Sequence, residues 1–328
     1  MADLSVRAKI ISDIVLIHNR TRRVERKLLN EDYGESELDK PFKYPEYYSS
    51  EIIDMINFRM EVLRRNNAVN EWVILQLHGG GYLSPFRNPY RTLAGLYSEA
   101  ARGAMVVSVD YRVAPENPYP AAVDDALEAY LWILNSGYLP EKVILGGDSA
   151  GGGLAMALCH RLKKLGLELP AGIVAMSPWT DLTTSLPSYK DNFDIDPVFG
   201  NSRSDVIFDN PYPGDEDKKN PEISPLYGDF EGFPPMLIQV GSEEMLYSDS
   251  EAVAAKAKEA GVKVKFTVYE GMFHVFQLSA MLMPESKKAW FEVRRFMDEI
   301  TGQGGQEEQT EGLTDEEGVS GSQQGFDR

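Results

Sequence analysis

The sequence has little of what would place it in an oxidising compartment or in a membrane. Cys159 is its one cysteine, so no disulfide can form within the chain, and this is typical of proteins of a reducing cytoplasm. A membrane-spanning helix requires about 20 predominantly apolar residues, and no stretch approaches that length. The apolar run at residues 10–17 contains Asp13 and precedes its basic cluster, which does not fit a signal peptide. We therefore expect a cytoplasmic protein without a membrane span.

Positive charge is scarce as well. The chain carries 51 Asp and Glu against 33 Lys and Arg, for a net charge of −18. Nucleic acids and anionic membranes are therefore unsuitable partners. The acidic cluster of Asp191, Asp194 and Asp196 lacks the glycine and the terminal glutamate of a calcium loop. We interpret this cluster as a solvated acidic turn, and we expect no metal and no cofactor.

Apolar and amphipathic segments alternate along most of the chain. With 328 residues and 43% hydrophobic content, it is long enough for one large α/β domain. Strands are predicted at residues 51–54, 58–63, 72–77, 104–109, 143–146, 172–176, 236–240 and 262–268. Helices are predicted at residues 89–102, 122–134, 150–165, 248–260 and 284–300. Near-continuous apolar strands that alternate with helices indicate a mostly parallel sheet with helices on both faces.

Residues 1–50 precede this alternation and form a separate N-terminal segment. Its first part, residues 4–29, has helical periodicity, and Ile10, Ile14 and Ile17 share one face. The remainder is rich in acidic residues, proline and tyrosine, which predicts an irregular connection. We expect the helix to pack over the main domain, because the acidic chain would oppose docking on a membrane surface.

The main domain is predicted to span residues 51–301, with one interruption at about 180–233. This stretch contains many Pro, Asn, Asp and aromatic residues but no clear repeat. A gap of this length inside a compact domain is typical of a functional lid or insertion. Residues 302–328 are acidic and contain almost no apolar side chains, which predicts a disordered tail.

A glycine-flanked serine, Ser149, lies where a predicted strand meets a predicted helix. The sequence at residues 147–151 is Gly-Asp-Ser-Ala-Gly, and an apolar run precedes it. This is the setting of a G-x-S-x-G nucleophile elbow, in which a strained turn exposes the serine hydroxyl at the end of the sheet. The motif also occurs by chance, and a glycine-rich turn with a hydrogen-bonded serine remains the alternative. A phosphate-binding loop is disfavoured because no G-K-[ST] follows.

A run of three glycines supports the catalytic interpretation. The sequence His-Gly-Gly-Gly-Tyr occupies residues 78–82, directly after a predicted strand. Glycines leave backbone N–H groups unshielded, so these groups can donate hydrogen bonds to an oxyanion that forms during a reaction. We expect the N–H groups of Gly80, Gly81 and Ala150 to act together in this way, and we interpret His78 as a structural residue that orients the loop.

Several motifs in one order identify a family. The sequence resembles the hormone-sensitive-lipase-like branch of the α/β-hydrolases, the bacterial family-four carboxylesterases, over about residues 70–300. The matching segments are residues 78–82, 110–116, 120–125, 147–152 and 177–182. The resemblance implies an eight-stranded, mostly parallel sheet. It also implies a cap built from the N-terminal segment and the insertion at about 180–233.

A serine nucleophile needs a base, since a free hydroxyl barely ionises at neutral pH. The chain offers four histidines. His18 lies on the N-terminal helix, His78 in the glycine loop, and His160 more than two turns into the helix that follows Ser149. His274 follows the last predicted strand, at the position of the family's G-x-x-H-x-F histidine. We therefore expect His274 to be the base.

The third member of a triad should follow the predicted strand 236–240 and precede the histidine. The family usually has an aspartate in a G-x-x-D-x-L pattern, and the matching position here is Glu244. Glu243 is the alternative, because a shift of one residue at the end of the strand would exchange the two. Asp249 is interpreted as a residue at the start of the next helix. The acid would hold His274 in its correct tautomer.

The resemblance implies a metal-free serine hydrolase that acts on a small-molecule ester through Ser149, Glu244 and His274. An amidase or a deacetylase with the same triad remains an alternative, because the fold does not define the bond that is cleaved. A binding protein without catalysis, as in the plant gibberellin receptors, is disfavoured because those proteins lack the histidine. A homodimer is left open, since edge strands often pair in this fold.

The predicted cap is short, which favours esters with acyl chains of up to about eight carbons. Its aromatic residues, together with three apolar residues further along the chain, are candidates for lining the acyl pocket or for forming the core of the cap. These candidates are Phe193, Phe199, Phe208, Tyr212, Tyr227, Phe230, Met281, Leu282 and Met283.

Overall fold

The computed structural model describes residues 4–16, 34–200 and 205–303. Part of the predicted N-terminal helix, His18 and the acidic tail beyond residue 303 lie outside the described residues. In the described residues, no helix is both long enough and apolar enough to cross a membrane.

Eight strands form one sheet, as the resemblance implied. The strands are β1 (Tyr48–Asp54), β2 (Arg59–Arg65), β3 (Val73–Leu77), β4 (Met105–Asp110), β5 (Val143–Asp148), β6 (Gly172–Met176), β7 (Met236–Gly241) and β8 (Val264–Tyr269). Their order is β1-β2-β4-β3-β5-β6-β7-β8. Strands β1 and β2 pair antiparallel with each other, β2 pairs antiparallel with β4, and the remaining pairs are parallel. The carboxyl ends of six parallel strands therefore meet at one edge.

Helices cover both faces of the sheet. They are α1 (Asn88–Ala100), α2 (Ala121–Asn135), α3 (Ala150–Leu165), α4 (Ser188–Asp191), α5 (Asp205–Phe208), α6 (Tyr247–Glu259) and α7 (Pro284–Thr301). Every residue of β3 is buried. Its alternate residues belong to different cores: Val73, Leu75 and Leu77 pack with α2, α3 and α6, whereas Ile74 packs with α1 and α7. The continuous apolar run of a central strand is thus buried on both sides.

The stretch between β6 and β7, where the sequence predicts an insertion, is mostly irregular. Its described helices are the four-residue α4 and α5 and one short 3-10 helix, Pro225–Tyr227. The insertion is held to helix α3 by Glu222, whose carboxylate accepts hydrogen bonds from Arg161 Nε (2.9 Å) and Lys164 Nζ (3.1 Å). This attachment fixes the insertion to the last turns of α3, away from the serine at the start of that helix.

The N-terminal helical segment, residues 6–16, packs on the main domain, but through a different face from the one predicted. Ile10 and Ile14 are 53% and 58% exposed. Ala8 is buried instead, and Ile11 and Val15 pack in the same cluster, which includes residues of the loop after β8. The predicted isoleucine face was therefore wrong. Helical periodicity shows that residues share a face, but it does not show which of two apolar faces finds a partner.

Candidate active site

Ser149 lies at the sharp junction between β5 and α3. Its φ and ψ are 52° and −122°, a combination that L-residues seldom adopt. The hydroxyl sits at the carboxyl end of β5 and at the N-terminus of α3, where the helix dipole favours negative charge. Only 5% of the Ser149 surface is exposed. Its backbone is fixed because Ser149 N–H donates to the carbonyl of Met176 (2.9 Å).

The glycines of the motif allow this close packing. A Cβ on Gly147 would lie 2.4 Å from the carbonyl oxygen of Gly151. A Cβ on Gly151 would lie 2.1 Å from the carbonyl oxygen of Leu77, at the end of the neighbouring strand β3. Both distances are far below van der Waals contact, and the contacted atoms belong to backbone that cannot easily move. The chain can make this turn only with small residues on each side of the serine.

Ser149, His274 and Glu244 form one continuous chain of hydrogen bonds. His274 Nε2 lies 2.9 Å from Ser149 Oγ, and His274 Nδ1 lies 2.8 Å from Glu244 Oε2. His274 and Glu244 are both buried. The histidine is carried by the loop after β8, and the glutamate by the loop after β7, which is the neighbouring strand. The structure therefore brings together the three side chains that the sequence selected.

Glu244, and not Glu243, is the carboxylate on His274. Its second oxygen, Oε1, accepts hydrogen bonds from the N–H of Gly241 and from Ser177 Oγ (2.7 Å). Ser177 Oγ in turn accepts the N–H of Val275, the residue next to the histidine (3.2 Å). Ser177 thus ties the acid to the histidine loop. Ser177 lies in one of the segments that resemble the family, but no sequence pattern predicts a role for it.

The glycine loop follows β3, the strand next to β5. Gly80 and Gly81 have φ values of 110° and 66°, which only glycine adopts without strain. In the part of the chain that the structure describes, their N–H groups and that of Ala150 have no hydrogen-bond acceptor. Asp148 Oδ1 accepts the N–H of Gly79 (3.2 Å), so it links the loop to the serine turn. Burial raises the pKa of Asp148 to about 7.

The other two described histidines lie in separate environments. His78 is fully buried and stacks on Tyr111, with 4.1 Å between ring centroids. His160 packs between Phe230 and Phe233 of the insertion, and its Nε2 lies 3.2 Å from the carbonyl oxygen of Pro225. Burial lowers the pKa of both imidazoles to about 4, so both are neutral at physiological pH. Their neutrality and packing fit structural roles.

The insertion reaches the hydrogen-bonded pair of Glu244 and His274 through residues that the sequence did not assign to the site. Asp196 was interpreted as part of a solvated turn, and that interpretation was wrong: its exposed fraction is 0%. Asp194, two residues earlier, is exposed. The spacing of acidic residues in a loop does not reveal which one turns inward. Within the described residues, no group of three or more His, Cys, Asp or Glu side chains is arranged to hold a metal ion.

The candidates for pocket lining divide into several groups. The ring of Phe199 lies 4.8 Å from the ring of His274. Tyr212 stacks on Tyr82 with 3.8 Å between ring centroids, and Phe230 is likewise fully buried, so both belong to the core. Met283 packs with the N-terminal helical segment, whereas Met281 and Leu282 are exposed. Of the candidates, Phe199 is the one in ring contact with His274.

Comparison with known proteins agrees with this architecture. Residues 74–278 match a family model described as the alpha/beta hydrolase fold. An acetyl-hydrolase from Streptomyces hygroscopicus is 37% identical over 74% of this chain and 84% of its own length. An esterase from Acinetobacter venetianus is 38% identical over 68% of this chain and 74% of its own.

A solved structure of an esterase from the bacterial hormone-sensitive lipase family is similar as well. It superposes with a TM-score of 0.78 at 32% identity, and the match covers 91% of this chain and 99% of that one. The motifs, the topology of the sheet and these relatives all indicate the same family. The chain therefore belongs to the α/β-hydrolase fold family, in its hormone-sensitive-lipase-like branch of carboxylesterases.

Proposed function

We propose that Ser149, His274 and Glu244 are the catalytic triad with which this carboxylesterase cleaves its substrates. The observation that carries the proposal is the hydrogen-bond chain from Ser149 Oγ through His274 to Glu244, with distances of 2.9 and 2.8 Å. The three residues come from three separate loops at the carboxyl edge of the sheet. A nucleophile in contact with a base that a third group orients is the general arrangement of covalent catalysis.

Each step follows from these positions. His274 Nε2 takes the proton of Ser149 Oγ while that oxygen attacks the ester carbonyl, and a tetrahedral oxyanion forms. When the intermediate collapses, the C–O bond breaks and His274 donates the proton to the departing alcohol. A water molecule then gives a proton to His274 and attacks the acyl-serine. When this second intermediate collapses, the bond between the acyl carbon and Ser149 Oγ breaks, His274 returns the proton to Ser149 Oγ, and the carboxylic acid is released. Glu244 keeps Nε2 free to accept and stabilises the protonated imidazole.

The oxyanion would be bound by the N–H groups of Gly80, Gly81 and Ala150. These three N–H groups have no acceptor among the described residues. The two glycines have positive φ, and Ala150 is the first residue of α3. Preorganised donors of this kind do not have to reorganise when charge develops. Loss of one of them typically costs about 100- to 1,000-fold in rate.

We propose short acyl chains, up to about eight carbons, as the preferred substrates. The similarity to an acetyl-hydrolase supports this. The position of Phe199 beside His274 also supports it, because an aromatic ring from the insertion packs against the proposed catalytic imidazole.

The test uses p-nitrophenyl esters from acetate to palmitate. Ser149→Ala and His274→Gln should each abolish turnover and leave the circular dichroism spectrum unchanged. His160→Gln is the matched control, because it replaces another buried histidine outside the hydrogen-bond chain, and its turnover at pH 8 should stay within about twofold. Full activity in Ser149→Ala or His274→Gln would refute the triad, and a rate maximum at long chains would refute the acyl preference.

The same assay separates the alternatives. Faster cleavage of p-nitroacetanilide than of p-nitrophenyl acetate would identify an amidase. Tight binding of a small molecule without any hydrolysis would identify a binding protein. The hydrogen bond between Ser149 Oγ and His274 Nε2 supports hydrolysis. A binding protein would not need a base in contact with a serine hydroxyl.

Location and assembly remain proposals. We propose a cytoplasmic enzyme, which the single, buried and unpaired Cys159 supports. A homodimer is compatible with the position of β8 at one edge of the sheet, where its outer backbone groups can pair with another strand. Size-exclusion chromatography with light scattering would distinguish a monomer from a dimer.

A further inference from the structure

Segment 192–199 of the insertion lies against the loop that carries Glu244, and we call it the brace. Asn192 Nδ2 donates two hydrogen bonds to that loop, to the carbonyl oxygen of Ser242 (3.0 Å) and to that of Glu244 (2.7 Å). One amide from a region about 50 residues away thus fixes the backbone on both sides of the proposed acid.

Asp196 extends the brace to the histidine. Its Oδ2 accepts the N–H of Met245 (2.7 Å), directly after the proposed acid. Its Oδ1 accepts the N–H groups of Val198 (2.7 Å) and Phe199 (3.0 Å). The ring of Phe199 then packs on His274. The buried carboxylate of Asp196 therefore holds the loop that carries Glu244 through one oxygen, and Phe199, which packs on the imidazole, through the other.

Asp196 also brings charge into the site. Both of its oxygens accept N–H groups, which favours the ionised carboxylate. Burial raises the pKa of Asp196, whereas the hydrogen bond from Met245 and the nearby imidazole of His274 oppose this rise. Among the described residues, no cation forms a salt bridge with Asp196. A negative charge in a buried site favours a nearby imidazolium over the neutral ring.

We infer that Asp196 is a positioning residue of this esterase, which holds the Glu244 loop and Phe199 in place and stabilises the imidazolium of His274 as a second buried carboxylate. The inference rests on the proposed triad.

Other charged groups also face the acid–base pair. Glu244 is bonded to His274 directly, and Asp148 at the end of β5 interacts electrostatically with the same imidazole. Burial raises the pKa of Glu243, and the negative charge of Asp196 adds to this effect. The test must therefore change Asp196 and leave these three carboxyl groups in place.

The test compares Asp196→Asn with Asp194→Asn, an exposed aspartate two residues away that serves as the matched control. Two quantities are measured: the pKa of His274, from the titration of its imidazole NMR signals, and the acid limb of kcat/KM. In Asp196→Asn, both should move to lower pH by about 0.5 to 1 unit, because one negative charge beside the imidazolium is removed. We also expect kcat to fall about tenfold with KM nearly unchanged.

The control should match the unmodified enzyme in both measurements. A lower kcat in Asp196→Asn without a change in the pKa of His274 would show a structural role only and would overturn the electrostatic part. Unchanged kcat and unchanged pKa would overturn the whole inference.

A second variant keeps the inference testable if Asp196→Asn does not fold. Asn192→Ala removes the two bonds to the acid loop and keeps the charge of Asp196. It should lower kcat several-fold and leave the pKa of His274 unchanged. An unaltered kcat would refute the role of the brace in positioning the Glu244 loop. The imidazole titration requires no turnover. Activity retained in Ser149→Ala would therefore refute the triad and, with it, the inference. An unchanged kcat and an unshifted titration in Asp196→Asn, beside an inactive Ser149→Ala, would refute the inference alone.

Discussion

Glu244 is fully buried, and every contact of its carboxylate serves to orient His274. One oxygen faces the imidazole, and the other accepts hydrogen bonds from Gly241 and Ser177. A carboxylate that accepts three hydrogen bonds in a buried site cannot rotate without leaving donors unpaired, and unpaired donors are costly there.

We predict that Glu244→Gln lowers kcat by about 1,000- to 10,000-fold, with KM nearly unchanged. A glutamine can turn its NH2 group towards His274 Nδ1, and the imidazole then adopts the tautomer in which Nε2 carries the proton and cannot accept one. The measurement is steady-state hydrolysis of p-nitrophenyl butyrate. Glu243→Gln is the matched control, with a change of less than about threefold expected because Glu243 is not bonded to His274. Equal losses in both variants would contradict the assignment.

Helix α3 connects the serine turn to the insertion. Its first residue supplies a proposed oxyanion donor, and three turns later Arg161 binds Glu222 of the insertion. The Glu222 side chain is 4% exposed, and hydrogen bonds from Arg161, Tyr119 and Lys164 lower its pKa to about 2 despite the opposing effect of burial. The insertion is thus held to helix α3 by an ionic network whose central pair, Arg161 and Glu222, is mostly buried.

We predict that Glu222→Ala destabilises the protein by about 2 to 4 kcal/mol, because it leaves the buried end of Arg161 with Asp124 as its one ion-pair partner among the described residues. The measurement is urea unfolding at pH 7.5. Asp229→Ala is the control, since it breaks the exposed pair with Lys163 between the same two elements and should cost less than about 1 kcal/mol. Similar losses in the two variants would show that burial of the network does not matter.

The elements themselves were largely predictable from the sequence. The strand predicted at 172–176 and the helix predicted at 150–165 coincide with β6 and α3. Both are buried, so burial imposes an apolar pattern on their sequences. The N-terminal helix was harder, because it has two apolar faces and the pattern does not show which one packs.

The site was predictable only in part. Ser149 and His274 follow strand ends within recognisable motifs, and the structure joins them by a hydrogen bond, although their catalytic roles stay predictions. The choice between Glu243 and Glu244 depends on the register at the end of β7, which periodicity does not define. Asp196 and Asn192 lie in an irregular stretch, where neither helical nor strand periodicity relates sequence position to burial.

The whole molecule contains buried titratable groups with opposite effects on its acid stability. His78 and His160 are held neutral, with pKa values of about 4. They make unfolding easier as the pH falls below 6.5, because the unfolded chain binds protons that the folded one does not. Asp148, with a pKa of about 7, acts in the opposite direction, because its folded form binds a proton first. The overall pH profile is a sum of these effects, so only a comparison of variants isolates one group.

We predict that His160→Gln removes one of these effects without affecting the others. In the unmodified protein, the contribution of His160 is fully present above pH 6.5 and is lost progressively as the pH falls towards 4. Between pH 7.5 and 5, the free energy of unfolding of the unmodified protein should therefore fall by about 2 kcal/mol relative to His160→Gln, which has no imidazole to protonate. Urea unfolding at several pH values measures this difference. Parallel profiles for the two proteins would mean that His160 has an ordinary pKa in the folded state, and that the contact between α3 and the insertion is open to water.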